Sequence, residues 1–146
     1  MKVLFVCTGN TCRSPMAAAL LRSRSSSLKI ASAGLATEDG LPASSFAQKA
    51  VLELGADLKE HRSQRIGEEL VAEADLILTM TGGHRQWLEA HFPQSRGRTF
   101  TLAEFVGQPG DVVDPFGGTQ DVYRQTASQL EGLIEKLKEK LELKEE

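Results

Sequence analysis

Short apolar runs alternate with segments of helical periodicity along this chain of 146 residues. That alternation predicts an α/β fold, a three-layer sandwich with a central four-stranded parallel sheet. Two further observations support it. The runs are short, rich in branched residues and nearly continuous in apolar character, as strands covered on both faces are. The first run passes directly into a Gly-Asn turn and then a helix start, the strand–loop–helix order of a parallel sheet whose ligand site lies beyond its strand ends.

The first strand is read at Lys2 to Val6, bounded by Thr8-Gly9-Asn10. A helix follows from about Ser14, which is expected to cap it, with Pro15 suiting its first turn. Met16, Ala17, Ala19, Leu20 and Leu21 form its apolar stripe, and Ser23 to Ser27 end it. Leu28 to Ala33 reads as the second strand, stopped by Gly34. Pro42 to Leu54 is expected as a helix with Phe46, Ala50, Val51 and Leu54 at helical spacing and Gly55 as its stop. Gly67 to Ala74 is expected as a short helix, and Asp75 to Met80 as a buried strand. Thr81 to Phe92 reads as a helix ending before Pro93, with Trp87 expected as packing or partial surface. Arg98 to Leu102 is expected as the fourth strand. A long helix from Thr119 to about Leu143 carries Val122, Ala127, Leu130, Leu133, Ile134, Leu137 and Leu141 on one face; Leu143 to Glu146 are expected to fray. Without repeats, low-complexity tracts or a linker, residues 1-146 read as a single domain.

Bulk composition narrows the function. The formal charge of −3 and pI near 5.7 do not favour a nucleic-acid or anionic-membrane partner. The apolar run Val3 to Val6 is too short for a signal-peptide core or a membrane span, so a cytoplasmic protein is expected. Two cysteines, Cys7 and Cys12, are too few for a disulfide scaffold. His61, His84 and His91 do not stand at ligand spacing from them, so no metal and no cofactor are expected.

The segment Cys7-Thr8-Gly9-Asn10-Thr11-Cys12-Arg13-Ser14 has the chemistry of an anion cradle. Gly9 and Asn10 tolerate left-handed backbone angles, and successive amides in such a turn point inward. A helix starting near Arg13 adds its positive end, and the Arg13 fork matches two oxygens of a phosphoryl group. The same amides, helix terminus and guanidinium favour a thiolate at Cys7, to which the Ser14 hydroxyl can donate. One loop thus offers a nucleophile and a phosphate clamp. The loop lacks the Gly-Lys-Ser/Thr ending of a nucleotide-triphosphate loop and the spaced glycines of a dinucleotide fold. The bland alternative is a buried cysteine at a strand end followed by a surface arginine.

Val6-Cys7-Thr8-Gly9-Asn10-Thr11-Cys12-Arg13-Ser14-Pro15 resembles the phosphate loop of the low-molecular-weight protein tyrosine phosphatase family. Ser32-Ala33-Gly34, Asp75 to Met80 and Asp114-Pro115 resemble that family's pattern after the second strand, its third strand and its general-acid loop. The resemblance implies a phosphoprotein phosphatase working through a cysteinyl-phosphate, with Cys7 as nucleophile, Arg13 and the amides of Thr8, Gly9, Asn10, Thr11, Cys12 and Ser14 around the phosphoryl group, and Asp114 as general acid and base. Asp111, a turn or cap residue, and Asp121, a first-turn helix carboxylate, are alternatives that residue chemistry alone leaves open. The resemblance also implies that Asn10 holds the loop's shape, with Ser32 as a partner.

Thr11 together with Asp114-Pro115-Phe116-Gly117-Gly118 resembles the bacterial protein arginine phosphatase branch, and implies phosphoarginine in proteins as substrate. The alternative is a protein tyrosine phosphatase. Phe116 is the candidate aromatic wall, with loop packing as its other reading. An arsenate reductase of this fold uses a third cysteine further along, which this sequence lacks; a non-catalytic phosphate-binding module would not need both Cys7 and Asp114. Cys12, five residues from Cys7 in a curled loop, is expected to fall within disulfide reach (~4.4–6.8 Å between Cα atoms) and is read as a redox partner, with packing under the loop as its other reading. The expected partner is a phosphorylated protein substrate, and the protein is expected to act as a monomer.

Overall fold

The computed structural model describes residues 1–145. The chain is helical through Glu145, where fraying is expected from Leu143 on; Glu146, the rest of that expectation, lies outside the described residues. In chain order the elements are β1 (Lys2–Cys7), α1 (Arg13–Arg24), β2 (Lys29–Gly34), α2 (Ser45–Leu52), α3 (Glu68–Glu73), β3 (Leu76–Thr79), α4 (Gly82–His91), a 3-10 turn at Pro93–Ser95, β4 (Thr99–Thr101), α5 (Leu102–Phe105) and α6 (Gln120–Glu145). The strands form one parallel sheet in the order β2-β1-β3-β4. This is the three-layer α/β arrangement that the sequence pattern predicts.

Alternation along β1 divides the core. Val3, Phe5 and Cys7 face the layer built from α1, α2 and α6, against Met16, Leu20, Val51, Leu130 and Ile134. Leu4 and Val6 face the other way, against Ile66, Val71 and Leu88 of the smaller layer. Side chains such as Phe5, Leu20 and Ile134 are fully buried. Each contributes about 1.5–3 kcal/mol relative to an exposed position.

The chain leaves β1 toward β2 on one side and later returns to place β3 on the other. The carboxyl ends of β1 and β3 therefore frame the switch point at which α/β folds bind ligands. Val6 and Cys7 pair with Ala33 and Gly34 of β2, while Val6 also pairs with Thr79 of β3.

Several boundaries differ from expectation. Ser14 does not cap α1: the cap position is Cys12, and Ser14 lies inside the helix with its hydroxyl turned to Cys7. Helix α2 starts at Ser45 rather than Pro42, because the Ser44 amide is held by the Thr11 carbonyl at 3.0 Å while its hydroxyl caps the helix by accepting from the Ala47 amide. The chain is thus committed to the site loop until Ser44. Helix α5, absent from the sequence reading, is a single turn nucleated by a capping box: Thr101 accepts from the Glu104 amide and the Glu104 carboxylate accepts from the Thr101 amide. No helix among the described residues is long and apolar enough to cross a membrane.

Candidate active site

Residues 8–12 join β1 to α1 in a tight loop that curls around the end of β1. Asn10 supplies its turn, with φ of 57°, the one positive φ on a non-glycine residue among the described residues. Asparagine is among the few side chains that tolerate this region, and here its amide is also fully used. Asn10 is completely buried. Its Nδ2 donates to Ser14 Oγ and to Ser32 Oγ, each at 2.9 Å, and its Oδ1 accepts from the Gln64 amide at 2.9 Å. The Asn10 carbonyl lies 2.7 Å from His61 Nε2. One side chain thereby ties the loop to α1, to β2 and to the irregular segment before α3.

Gly34 makes this closeness possible. A Cβ there would stand 2.8 Å from the Thr8 carbonyl oxygen, 2.9 Å from Thr37 Cγ2 and 3.0 Å from Asn10 Cβ. The Cys7 and Thr8 carbonyls accept from the Leu35 and Ala36 amides, both at 3.0 Å, so the loop continues the β1–β2 pairing beyond the last strand residues.

Two donors converge on Cys7. Its Sγ lies 2.9 Å from Ser14 Oγ and accepts from the Asn10 amide at 3.3 Å. Ser14 Oγ already accepts from Asn10, so its own hydrogen is free for the sulfur. Arg13 is 5% exposed; one arm of its guanidinium donates to the Val112 carbonyl at 3.2 Å and another stands 3.5 Å from the Asp114 carboxylate. Arg13 thus meets Asp114, and both line the same cavity as Cys7. Asp114 Oδ1 accepts from the Phe116 amide at 3.0 Å, a local turn that places Phe116 at the rim, where it is 81% exposed. Cys7, Thr8, Gly9, Thr11, Cys12, Arg13, Asp114 and Phe116 line one cavity of about 260 Å³. Thr11 Oγ1 and Cys12 Sγ lie 3.8 Å apart. Both cysteines are free thiols.

The other aspartates take different places. Asp111 accepts from the Gly82 amide at 3.0 Å, at the start of α4, and ties the loop that carries Asp114 to that helix. Asp121 lies in the first turn of α6 and pairs with Arg124 at 2.9 Å. Trp87 stacks on His91 and packs beside the smaller core layer.

Four residues near the site were not recognised as site elements from sequence. His61 and Gln64 hold the Asn10 network; burial, followed by the Arg22 and Arg62 charges, holds His61 below the usual imidazole range against the opposing pull of the Asn10 carbonyl. His84, 7% exposed, has Nε2 2.9 Å from Thr8 Oγ1, and burial together with the Arg13 charge pushes it down to about 4. Tyr123 OH lies 3.4 Å from Cys12 Sγ, and burial and that contact push the phenol up to about 12. These residues follow no spacing rule, since each reaches the loop from a different element. A single sequence carries no signal for them.

Fold and loop together define an α/β protein with a phosphate-binding loop after its first strand. The chain belongs to the low molecular weight phosphotyrosine protein phosphatase family, whose description matches residues 2–146. It is 45% identical over 143 residues to a protein-arginine-phosphatase of Geobacillus stearothermophilus, covering 97% of this chain and 96% of that one. It is 44% identical to the low molecular weight protein-tyrosine-phosphatase PtpB of Staphylococcus haemolyticus, covering 94% and 98%. Among solved structures, a YwlE arginine phosphatase, described as a C7S mutant with a phosphorylated active site serine, superposes with a TM-score of 0.93 at 42% identity, covering 97% of this chain and 96% of that one.

Proposed function

We propose that the protein hydrolyses phosphoarginine in proteins through a cysteinyl-phosphate intermediate. The observation that carries the mechanism is the convergence on one small pocket of a thiol with two donors at its sulfur, a buried guanidinium and a carboxylate. Cys7 attacks phosphorus in line with the P–N bond. That bond breaks as Asp114 delivers a proton to the departing guanidino nitrogen. Arg13 and the loop amides hold the equatorial oxygens throughout, and Arg13 turns part of its charge from Asp114 to the phosphoryl group when substrate enters. Water then attacks the phosphocysteine while Asp114 takes its proton, and the thiolate leaves. The phosphorylated serine in a structurally similar arginine phosphatase supports a covalent route.

Arginine selectivity rests on Thr11, a pocket-lining residue that brings a hydroxyl where an apolar side chain would bring only methyls, and on the arginine phosphatases among the relatives. The second reading, phosphotyrosine, is favoured by the exposed Phe116 ring and by the PtpB relative. A phosphorylated protein as partner and a cytoplasmic monomer remain part of the proposal.

The test compares kcat/KM on matched peptides carrying phosphoarginine or phosphotyrosine, with Cys7→Ser as control. Preference for phosphoarginine, abolished in the control, is the expected result. Preference for phosphotyrosine keeps the mechanism and moves the substrate. Turnover that survives Cys7→Ser overturns the mechanism. The same reading assigns Cys12 as the thiol that condenses with an oxidised Cys7 sulfur, releasing water and forming a disulfide that shields the nucleophile. Peroxide-inactivated enzyme that dithiothreitol fails to restore would sink that assignment.

A further inference from the structure

We infer that Thr8, pinned by His84, is a specificity element for a nitrogen-linked substrate, with its hydroxyl oxygen accepting a hydrogen bond from a substrate N–H at the mouth of the pocket. The inference deepens the phosphoarginine reading and rests on it.

Thr8 is the first loop residue after Cys7; it is exposed and lines the pocket. An exposed threonine hydroxyl ordinarily rotates among staggered positions and bonds to water. Here it does not rotate freely, because His84 Nε2 holds Oγ1 at 2.9 Å. His84 is itself fixed: its amide donates to Thr81 Oγ1 at 3.1 Å in the first turn of α4, and its ring is buried. Among the described residues its Nδ1 is buried with no hydrogen-bond partner, and the contact with Thr8 is the ring's one polar anchor there. A buried imidazole left half unpaired costs stability, which is the pattern of a residue held for the site rather than for the core. Burial and the nearby Arg13 charge, outweighing Asp111 and Asp114, keep the ring neutral at physiological pH.

Both neutral tautomers give the same outcome. With Nε2 protonated, the ring donates to Thr8 Oγ1 and one oxygen lone pair remains. With Nδ1 protonated, the Thr8 hydroxyl donates to Nε2 and both lone pairs remain. In each case the oxygen presents acceptor capacity away from His84. A guanidino group bound through its phosphoryl group in the cradle carries N–H donors beside the P–N bond. A phenol ester carries none. Thr8 is the more exposed of the two threonines that line the pocket and is anchored by His84, whereas Thr11 Oγ1 lies by Cys12 Sγ, so the two hydroxyls have separate surroundings.

The experiment measures kcat/KM for phosphoarginine and phosphotyrosine peptides with wild-type protein, Thr8→Val, His84→Phe and His84→Gln. Thr8→Val keeps the shape and removes the acceptor; the ratio of the two kcat/KM values is expected to fall about tenfold toward phosphotyrosine, the scale of one lost hydrogen bond. His84→Phe frees the Thr8 rotor and lowers the ratio by a smaller factor, mainly through KM. His84→Gln keeps an amide near Nε2 and restores it in part. A merely structural role lowers both activities together and leaves the ratio unchanged, which overturns the inference. If a His84 variant fails to fold, Thr8→Val decides alone. A wild-type protein with no phosphoarginine preference refutes the substrate reading itself, whereas a preferring wild type with an unchanged Thr8→Val ratio refutes only the role of Thr8.

Discussion

Replacing Asn10 by alanine should unfold the site loop and weaken the whole domain. The side chain is fully buried and makes three hydrogen bonds, to Ser14 Oγ, Ser32 Oγ and the Gln64 amide. At about 1 kcal/mol net for each, their loss costs about 3 kcal/mol. The backbone at φ 57° adds about 1 kcal/mol for alanine, which lacks asparagine's tolerance of that region. The expected total is about 4 kcal/mol, a large share of a typical domain stability of about 5–15 kcal/mol. Asn10→Gly removes the same bonds but relieves the backbone, so it should retain about 1 kcal/mol relative to alanine. Urea denaturation of the three proteins under reducing conditions measures both differences. A loss below about 1 kcal/mol for Asn10→Ala would show that water or neighbouring groups replace the network, and the reasoning fails. Equal stability of the alanine and glycine variants would remove the strain component alone.

Gly34→Ala places a methyl against the Thr8 carbonyl oxygen, 2.8 Å away, and should cost about 1–3 kcal/mol while slowing alkylation of Cys7 as the loop is pushed aside; thermal melting and iodoacetamide kinetics check both effects. His84 sits well below its unfolded value of 6.5, so the stability that it contributes is present above pH 6.5 and is lost as pH falls toward about 4, with His61 acting in the same direction. Stability curves from pH 7 downward should therefore be less steep for His84→Gln than for the wild type. Tyr123 is the protein's one tyrosine, and its raised value means stability present below pH 10 and lost as pH rises through about 12. Its phenolate absorbance should appear late in an alkaline titration, and the alkaline loss should shrink in Tyr123→Phe.

Much of this architecture is legible in the sequence because it is periodic or local. The strand Lys2–Cys7 declares itself by a run of apolar residues, and the loop after it by Gly9, Asn10 and the spacing from Cys7 to Arg13. Asp114 was distinguishable from Asp111 and Asp121 only through family resemblance, since all three sit in the same region with similar local chemistry. The structure separates them by partner: Arg13, the Gly82 amide and Arg124. A serine just before a proline at a helix start points to a cap, but the cap position is Cys12 and the Ser14 hydroxyl lies against Cys7 Sγ. His61, Gln64, His84 and Tyr123 were illegible as site elements for a common reason. Each reaches the loop across a long stretch of chain, and such meetings are set by packing rather than by local pattern.

That long reach has a consequence for how the protein comes into being. Asn10 closes its bonds with residues 4, 22, 51 and 54 positions further along, and Arg13 meets the carbonyl of a residue 99 positions away. A ribosome must therefore release most of the polypeptide before the cradle exists. Until then the Arg13 guanidinium has neither the Val112 carbonyl nor the Asp114 carboxylate to hold it beside Cys7. The assembled cradle is thus a property of the nearly complete chain, not of the N-terminal segment that carries its sequence motif.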